Sequence, residues 1–216
     1  MAIITGIVPS AERPGHVVIL VDGVAFATVP AHSVERLALA AGDEADAAEP
    51  VRPLEGSARK TYERALGLLS FRARSAKELE KRLRDKGEPV ADVERVIARL
   101  SANGLLDDAR FAESRARVGI VGKARSRRRI EQDLAQRGVA REIAGEAVRR
   151  VLAEEGTDET AVAERAARKK LRSLTRLDPA VRRQKLYAYL ARQGHAADVV
   201  RRVMRVVLDG APDDEA

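Results

Sequence analysis

The side chains that most often perform catalysis or bind metals are few in this sequence and widely separated. Cysteine is absent, and the three histidines are His16, His32 and His195. The pair Asp107-Asp108 could bind a metal, but carboxylates in the first turn of a helix more often cap it. No glycine-rich phosphate-binding motif is present. The sequence therefore predicts no catalytic residues, no metal and no cofactor.

Basic side chains are concentrated around the predicted starts of two helices, at Ser75 and Ser126. The first cluster is Arg72, Arg74 and Lys77, and the second is Lys123, Arg125, Arg127, Arg128 and Arg129. Free amides at a helix N-terminus attract anions, and flanking cations would strengthen such a site. The same cations oppose the helix dipole, so they should cost stability. We therefore predict that both clusters contact phosphates.

A third basic group forms a stripe along one predicted helix, opposite an apolar stripe. Its members follow helical spacing: Arg165, Arg168, Lys169 and Arg172. A solvated helix face would show the same pattern, but together with the two clusters the stripe favours phosphate contact. Aromatic residues make up only 3% of the chain, which argues against base stacking as the main mode of binding. Contact should therefore be directed to the nucleic-acid backbone and depend strongly on salt.

The distribution of charge points to the same class of ligand. Residues 1–56 contain 3 basic and 8 acidic side chains, whereas residues 57–208 contain 37 basic and 21 acidic ones. A body this basic attracts polyanions, nucleic acid above all. Arginine-rich, solvated helix faces remain the alternative interpretation of the composition.

These basic groups must be positioned by helices, which a repeated apolar pattern predicts. Two apolar residues four apart precede a glycine four further on in three places: Leu79, Leu83 and Gly87; Ile130, Leu134 and Gly138; Leu186, Leu190 and Gly194. Residues four apart share a helix face, and glycine suits the left-handed residue that ends a helix. One small helical unit therefore occurs three times.

The predicted fold is mainly α, with nine helices after Ser57 in three tandem three-helix repeats. The repeats cover residues 57–104, 105–156 and 157–209, and they should form an elongated body that could be curved. Predicted helix caps stand at Ser75, Asp107, Ser126, Thr157 and Asp178.

The N-terminal part of the chain has a different pattern. Apolar, β-branched runs flank Asp22-Gly23, which predicts a β-hairpin in a small segment 1–41 that ends in a short helix. This segment is too small for much of a core and should dock on its neighbour. An acidic linker is predicted at 42–56, and residues 210–216 form an acidic tail.

Membrane and export signals are not evident in the sequence. No apolar run approaches the roughly 20 residues needed to cross a bilayer, and the first residues do not resemble a signal peptide. The lack of cysteine fits a reducing compartment. We therefore expect a cytoplasmic protein with no membrane partner.

Three segments resemble the signatures of the RecX family of bacterial recombination regulators, in the same order and spacing. They are Leu69-Ser70-Phe71-Arg72-Ala73-Arg74-Ser75-Ala76-Lys77-Glu78-Leu79, Gly104-Leu105-Leu106-Asp107-Asp108-Ala109-Arg110-Phe111-Ala112, and the stretch from Gly122-Lys123 to Arg137-Gly138. The resemblance extends over residues 57–209, but the third repeat matches the family pattern only loosely.

The resemblance implies a function that the residues alone do not name. It implies a helical, non-enzymatic regulator of homologous recombination, DNA repair and the SOS response that lies in the groove of the RecA filament. Such a protein inhibits RecA strand exchange and ATP hydrolysis, and it can bind single- and double-stranded DNA directly. We expect a monomer. The alternatives are a general helical nucleic-acid-binding protein with no recombinase partner and a helical scaffold that binds other proteins.

Overall fold

A computed structural model of the chain describes residues 2–209, apart from the side chain of Asp209. The chain divides into two compact units, Met1–Asp107 and Asp108–Ala216. The acidic tail predicted at 210–216 lies outside the described residues.

The first unit begins with a three-stranded antiparallel sheet in the order β1-β2-β3. Its strands are β1 (Ile4–Pro9), β2 (His16–Val21) and β3 (Val24–Pro30). Asp22 and Gly23 connect β2 to β3 with φ angles of 49° and 79°. Two consecutive positive φ angles are the mark of a type I′ turn, so the predicted hairpin is confirmed.

A short helix α1 (Ala31–Leu37) and a 3₁₀ helix (Ala45–Val51) complete the core of this sheet. Ala48 and Val51 are fully buried together with residues of the strands. In a 3₁₀ helix residues three apart lie above one another, so these two face inward while Asp46 stays exposed. The segment 42–56, which the sequence predicts as a linker, is therefore folded over much of its length.

Nine further α-helices lie between residues 56 and 209, and their arrangement confirms the mainly helical fold class. They are α2 (Gly56–Phe71), α3 (Ala76–Arg84), α4 (Val90–Ala102), α5 (Asp108–Arg117), α6 (Arg127–Ala135), α7 (Arg141–Glu154), α8 (Glu159–Leu171), α9 (Pro179–Arg192) and α10 (Ala197–Asp209). A π-helical turn, Val118–Gly122, follows α5 directly. None of the helices within residues 2–209 is both long and apolar enough to cross a membrane.

The N-terminal sheet docks on α4, as the sequence predicts. Ala102 at the end of α4 belongs to the sheet's own apolar core. The Ser33 hydroxyl donates to Asn103 Oδ1 at 3.3 Å, and an Arg99 guanidinium donates to the Arg52 carbonyl at 3.3 Å.

The repeated apolar pattern forms the helical cores. All six of its apolar residues are at most 3% exposed: Leu79, Leu83, Ile130, Leu134, Leu186 and Leu190. The three glycines that follow have φ angles of 82°, 76° and 88°, the left-handed conformation expected at these helix ends. The pattern is therefore a packing and capping signal.

One predicted helix cap is displaced by a residue. The side chain of Asp158, not Thr157, accepts a hydrogen bond from the Ala161 amide at 2.7 Å and so caps α8. The Thr157 amide instead donates to the Leu152 carbonyl, which places Thr157 in the turn that ends α7. The predicted caps Ser75, Ser126 and Asp178 are confirmed by bonds from their side chains to helix amides.

We expect Asp158→Ala to lower the free energy of unfolding by about 1 kcal/mol, because one helix amide loses its acceptor. Thr157→Ala removes no cap and should change the stability little. Urea unfolding followed by far-UV circular dichroism measures both variants. Equal effects, or a larger effect of Thr157→Ala, would contradict the assignment of the cap.

Candidate nucleic-acid interface

The first predicted cluster, around Ser75, is largely engaged in contacts within the protein. Arg72 forms an ion pair with Glu78 at 3.2 Å, and the guanidinium of Arg74 donates to the Leu68 carbonyl at 3.3 Å. Burial lowers the pKa of Arg74, and the positive charge of Arg72 lowers it further. Lys77 is exposed and forms no ion pair within residues 2–209.

Three arginines of the second cluster form ion pairs with acidic residues of α6. Arg125 pairs with Asp133, Arg127 with Glu131 at 2.7 Å, and Arg129 also with Asp133 at 3.5 Å. The hydrogen bond from Arg127 to Glu131 is the main reason why the pKa of this arginine is raised. The predicted cost of placing these cations at a helix start is therefore offset by ion pairs.

The turn after α9 packs against the start of α6. The Ser126 hydroxyl accepts from the Arg129 amide at 3.1 Å, and the Ser126 amide donates to the Gln193 carbonyl at 3.1 Å. Gly194 packs so closely that a Cβ atom there would lie 2.6 Å from Ser126 Oγ. The turn after α9 therefore lies against this helix end, and an anion site there stays a prediction. Contact of the exposed Arg128 with phosphate stays a prediction.

The structure instead brings Lys123 together with the third predicted group. These five basic side chains line a groove of about 890 Å³, which we call the basic groove: Lys123, Arg165, Arg168, Lys169 and Arg172. Glu164 is the acidic residue of its lining. The groove therefore combines two regions that are more than 40 residues apart in the sequence.

The π-helical turn before Lys123 fixes one wall of the basic groove. The Ile120 carbonyl accepts a hydrogen bond from the Arg165 guanidinium at 3.2 Å. A Cβ atom on Gly119 would lie 2.7 Å from Ile130 Cγ1, so the turn packs directly against α6. Ala124 has a φ of 48°, and its carbonyl is 3.1 Å from His195 Nε2. These contacts hold Lys123 beside α8.

The cations of the basic groove differ in what they bind within the protein. Arg168 pairs with Glu164 at 2.6 Å. Lys123, Lys169 and Arg172 are exposed, and no ion pair involves them in the described part of the chain. These three carry charge that the fold does not use.

An aromatic ring in the basic groove was not predicted. Tyr189 lies in its lining, and Lys170 Nζ is 5.8 Å from the centre of the ring. Because aromatic residues make up only 3% of the chain, Tyr189 was not among the predicted site residues. Its position between Leu186 and Leu190, in a helix rich in basic residues, could have identified it from the sequence.

The residue types that could support catalysis or metal binding have contacts within the protein. The rings of His16, His32 and His195 each lie within 3.3 Å of a backbone carbonyl. Across residues 2–209, no group of three or more histidine, aspartate and glutamate side chains could hold a metal ion.

The fold and this surface define a helical protein of three-helix domains with a basic groove suited to polyanions. Family models for the first, second and third three-helix domains of RecX match residues 62–100, 107–148 and 157–204. The chain belongs to the RecX family of regulatory proteins.

Individual relatives agree with this assignment. The regulatory protein RecX of Pelodictyon phaeoclathratiforme is 36% identical over 152 residues, which cover 70% of this chain and 91% of that protein. The one from Levilactobacillus brevis is 29% identical over 217 residues, covering 100% and 79% of the two chains.

Solved structures show the same fold. A crystal structure of regulatory protein RecX has a TM-score of 0.57 at 24% identity and covers 94% of this chain and 98% of its own. The structure of RecX from Lactobacillus salivarius has a TM-score of 0.59 at 22% identity and covers 72% and 98% of the two chains.

We expect Gly194→Ala to destabilise the second unit more than Gly156→Ala. Both residues have positive φ angles, 88° and 55°, so each alanine has a backbone cost of about 1–2 kcal/mol. Only at Gly194 would the new methyl also meet neighbours, Ser126 Oγ at 2.6 Å and Arg129 Cβ at 2.9 Å, so overpacking adds about 1–3 kcal/mol. Urea unfolding compares the two variants, and equal losses would contradict the close packing of this turn.

The buried ring of His195 should make stability depend on pH. Burial lowers its pKa in the folded state, while the unfolded chain keeps a value of about 6.5. The unfolded state therefore binds more protons below about pH 6.5, and the free energy of unfolding should fall as the pH drops through that value.

His195→Gln should remove this part of the pH dependence, because glutamine can donate to the same carbonyl without titrating. Urea midpoints measured between about pH 7.5 and 5.5 test this. His32→Gln is the matched control, since His32 is exposed. The same pH dependence in His195→Gln and the unaltered protein would refute the role of burial.

Proposed function

We propose that this protein is a non-enzymatic regulator that binds the RecA nucleoprotein filament and inhibits strand exchange and ATP hydrolysis. Membership of the RecX family supports the regulatory role. The resemblance of the three signature segments to that family supports RecA as the partner.

We further propose that the basic groove contacts the phosphates of DNA, single- or double-stranded, inside the filament. The observation that carries this proposal is the convergence of five basic side chains with one acidic residue in a single groove. Three of them, Lys123, Lys169 and Arg172, are free of ion pairs among the described residues. Each phosphate neutralised by such a cation releases counterions, so affinity should fall steeply with salt.

The remaining predicted cations differ in how readily they could contact phosphates. Exposed Lys77 and Arg128 can add phosphate contacts without breaking an ion pair. The others contribute to the positive field but are held by the fold: Arg72, Arg74, Arg125, Arg127 and Arg129. Binding through them would first require these internal contacts to open.

We also propose the three repeats 57–104, 105–156 and 157–209 as the domains that act on the filament, in a monomeric, cytoplasmic protein. Each matched family-model range falls inside one of these repeats. We propose the cytoplasm because the proposed partners, RecA and its DNA substrate, are located there.

A general nucleic-acid-binding role without a recombinase partner is the second candidate, since a groove directed at phosphates needs no protein partner. The two functions differ in a RecA assay of ATP hydrolysis on single-stranded DNA. The proposed regulator inhibits hydrolysis when it is present at a fraction of the RecA concentration. DNA binding without any such inhibition would establish the second candidate and exclude the first.

We expect Lys169→Gln with Arg172→Gln to weaken both DNA binding and inhibition of RecA. Removing two cations that bind phosphates should lower the slope of log affinity against log salt by about 0.9 each on a duplex. Fluorescence anisotropy across a salt series measures the slope. Neither residue has an ion pair to lose in the described structure, so the circular dichroism spectrum should not change.

The matched control is Arg13→Gln with Arg95→Gln. Both arginines are exposed, form no ion pair among residues 2–209 and lie outside the basic groove. The two double variants have the same net charge. An equal loss of affinity in both would mean that overall charge, not the groove, determines binding.

A further inference from the structure

A second groove lies between α9 and α10, and it shares no lining residue with the basic groove in the described part of the chain. Its volume is about 620 Å³, and we call it the α9/α10 groove. It is lined by Ala180, Arg183, Gln184, Tyr187, Arg201, Met204 and Arg205. Three arginines line this groove, and none of its described lining residues is acidic.

Helical spacing explains why these side chains meet. On α9 the lining residues recur at intervals of three and four, so they share one face, and the same holds for Arg201, Met204 and Arg205 on α10. Leu186 and Leu190 of α9 face the core and are fully buried. The groove is therefore the outer surface of two well-packed helices.

Within residues 2–209, the basic side chains of α9 and α10 form no ion pairs, whereas Arg127 and Arg168 on α6 and α8 are both paired. The unpaired set is Arg182, Arg183, Lys185, Arg192, Arg201, Arg202 and Arg205. Like charges that stabilise nothing in the fold point to an anionic ligand.

Tyr187 narrows the class of anion. Tyr187 is 43% exposed and lines the groove together with the three arginines. An exposed aromatic ring among cations is the arrangement that binds single-stranded nucleic acid, where a base stacks on the ring and arginines hold the backbone. Duplex bases are already stacked on one another, and an acidic peptide needs the cations but no flat ring.

We propose that the α9/α10 groove is a binding site for single-stranded nucleic acid, in which a base stacks on Tyr187 and phosphates bind Arg183, Arg201 and Arg205. The site is separate from the basic groove, whose ring is Tyr189. Residues two apart on a helix point in nearly opposite directions, so the two rings serve different sides of α9. This inference goes beyond the regulation of RecA and does not depend on it.

The test compares two fluorescent strands of equal length and charge, one of thymidines and one abasic, binding to the full chain. Their affinity ratio isolates the contribution of the bases, because the phosphates are the same. Tyr187→Ala should weaken thymidine binding about tenfold and leave abasic binding unchanged. Tyr187→Phe retains an aromatic ring and should bind as the unaltered protein does.

Substitutions of the arginines should affect the binding of both strands. Arg201→Gln with Arg205→Gln should reduce affinity for both strands and lower the salt slope by about 0.7 for each phosphate that is no longer neutralised on a single strand. Arg13→Gln with Arg95→Gln again serves as the charge-matched control. Unchanged circular dichroism spectra establish that each variant is folded.

Three outcomes would overturn the proposal. The first is an equal loss of thymidine and abasic binding in Tyr187→Ala, and the second is no loss of either. The third is intact DNA binding with weakened binding to RecA filaments, which would identify an acidic protein surface as the occupant. Inhibition of RecA ATP hydrolysis is measured separately, so failure of this site leaves the proposed function to its own test.

Discussion

The close contact between the turn after α9 and the start of α6 is the constraint on which the basic groove depends. The Gln193 carbonyl accepts from the Ser126 amide, Gly194 leaves no room for a side chain, and His195 lies against the Ala124 carbonyl. This contact joins residues of the second matched domain to residues of the third. It also fixes the chain on either side of Ala124, and so it holds Lys123 next to the stripe of α8.

Ion pairing separates the basic residues into two groups with different roles. Cations near the helix starts, such as Arg125 and Arg127, are paired with Asp133 and Glu131 and stabilise the local structure. Exposed ion pairs contribute little each, but they remove the free charge that a phosphate would need. Among residues 2–209, the basic groove and the α9/α10 groove each contain cations without such partners, such as Lys169 and Arg183. The proposed polyanion interface therefore lies where basic side chains have no acidic partner in the described part of the chain.

Features that depend on residues close together in the sequence could be predicted, and features that depend on distant packing could not. The apolar repeat, the β2–β3 turn and the cap at Ser126 all rest on local spacing, and they are confirmed. The ion pair between Arg127 and Glu131 could also be predicted, because residues four apart are neighbours on a helix surface. By contrast, no local pattern in the sequence predicts that Gly194 packs against Ser126 or that Lys123 lies beside α8. The displaced cap at Asp158 shows the limit of local signals, since neighbouring Thr157 is also a residue type that favours the N-cap position.

A photoreactive side chain at position 169 tests the central claim most directly, because it reports what lies against the basic groove within a RecA filament on single-stranded DNA. The same group at position 95, on an exposed part of α4, is the reference. The account predicts a crosslink to DNA from position 169 and much less from position 95. Crosslinks from position 169 to RecA alone, or equal DNA crosslinking from both positions, would contradict it.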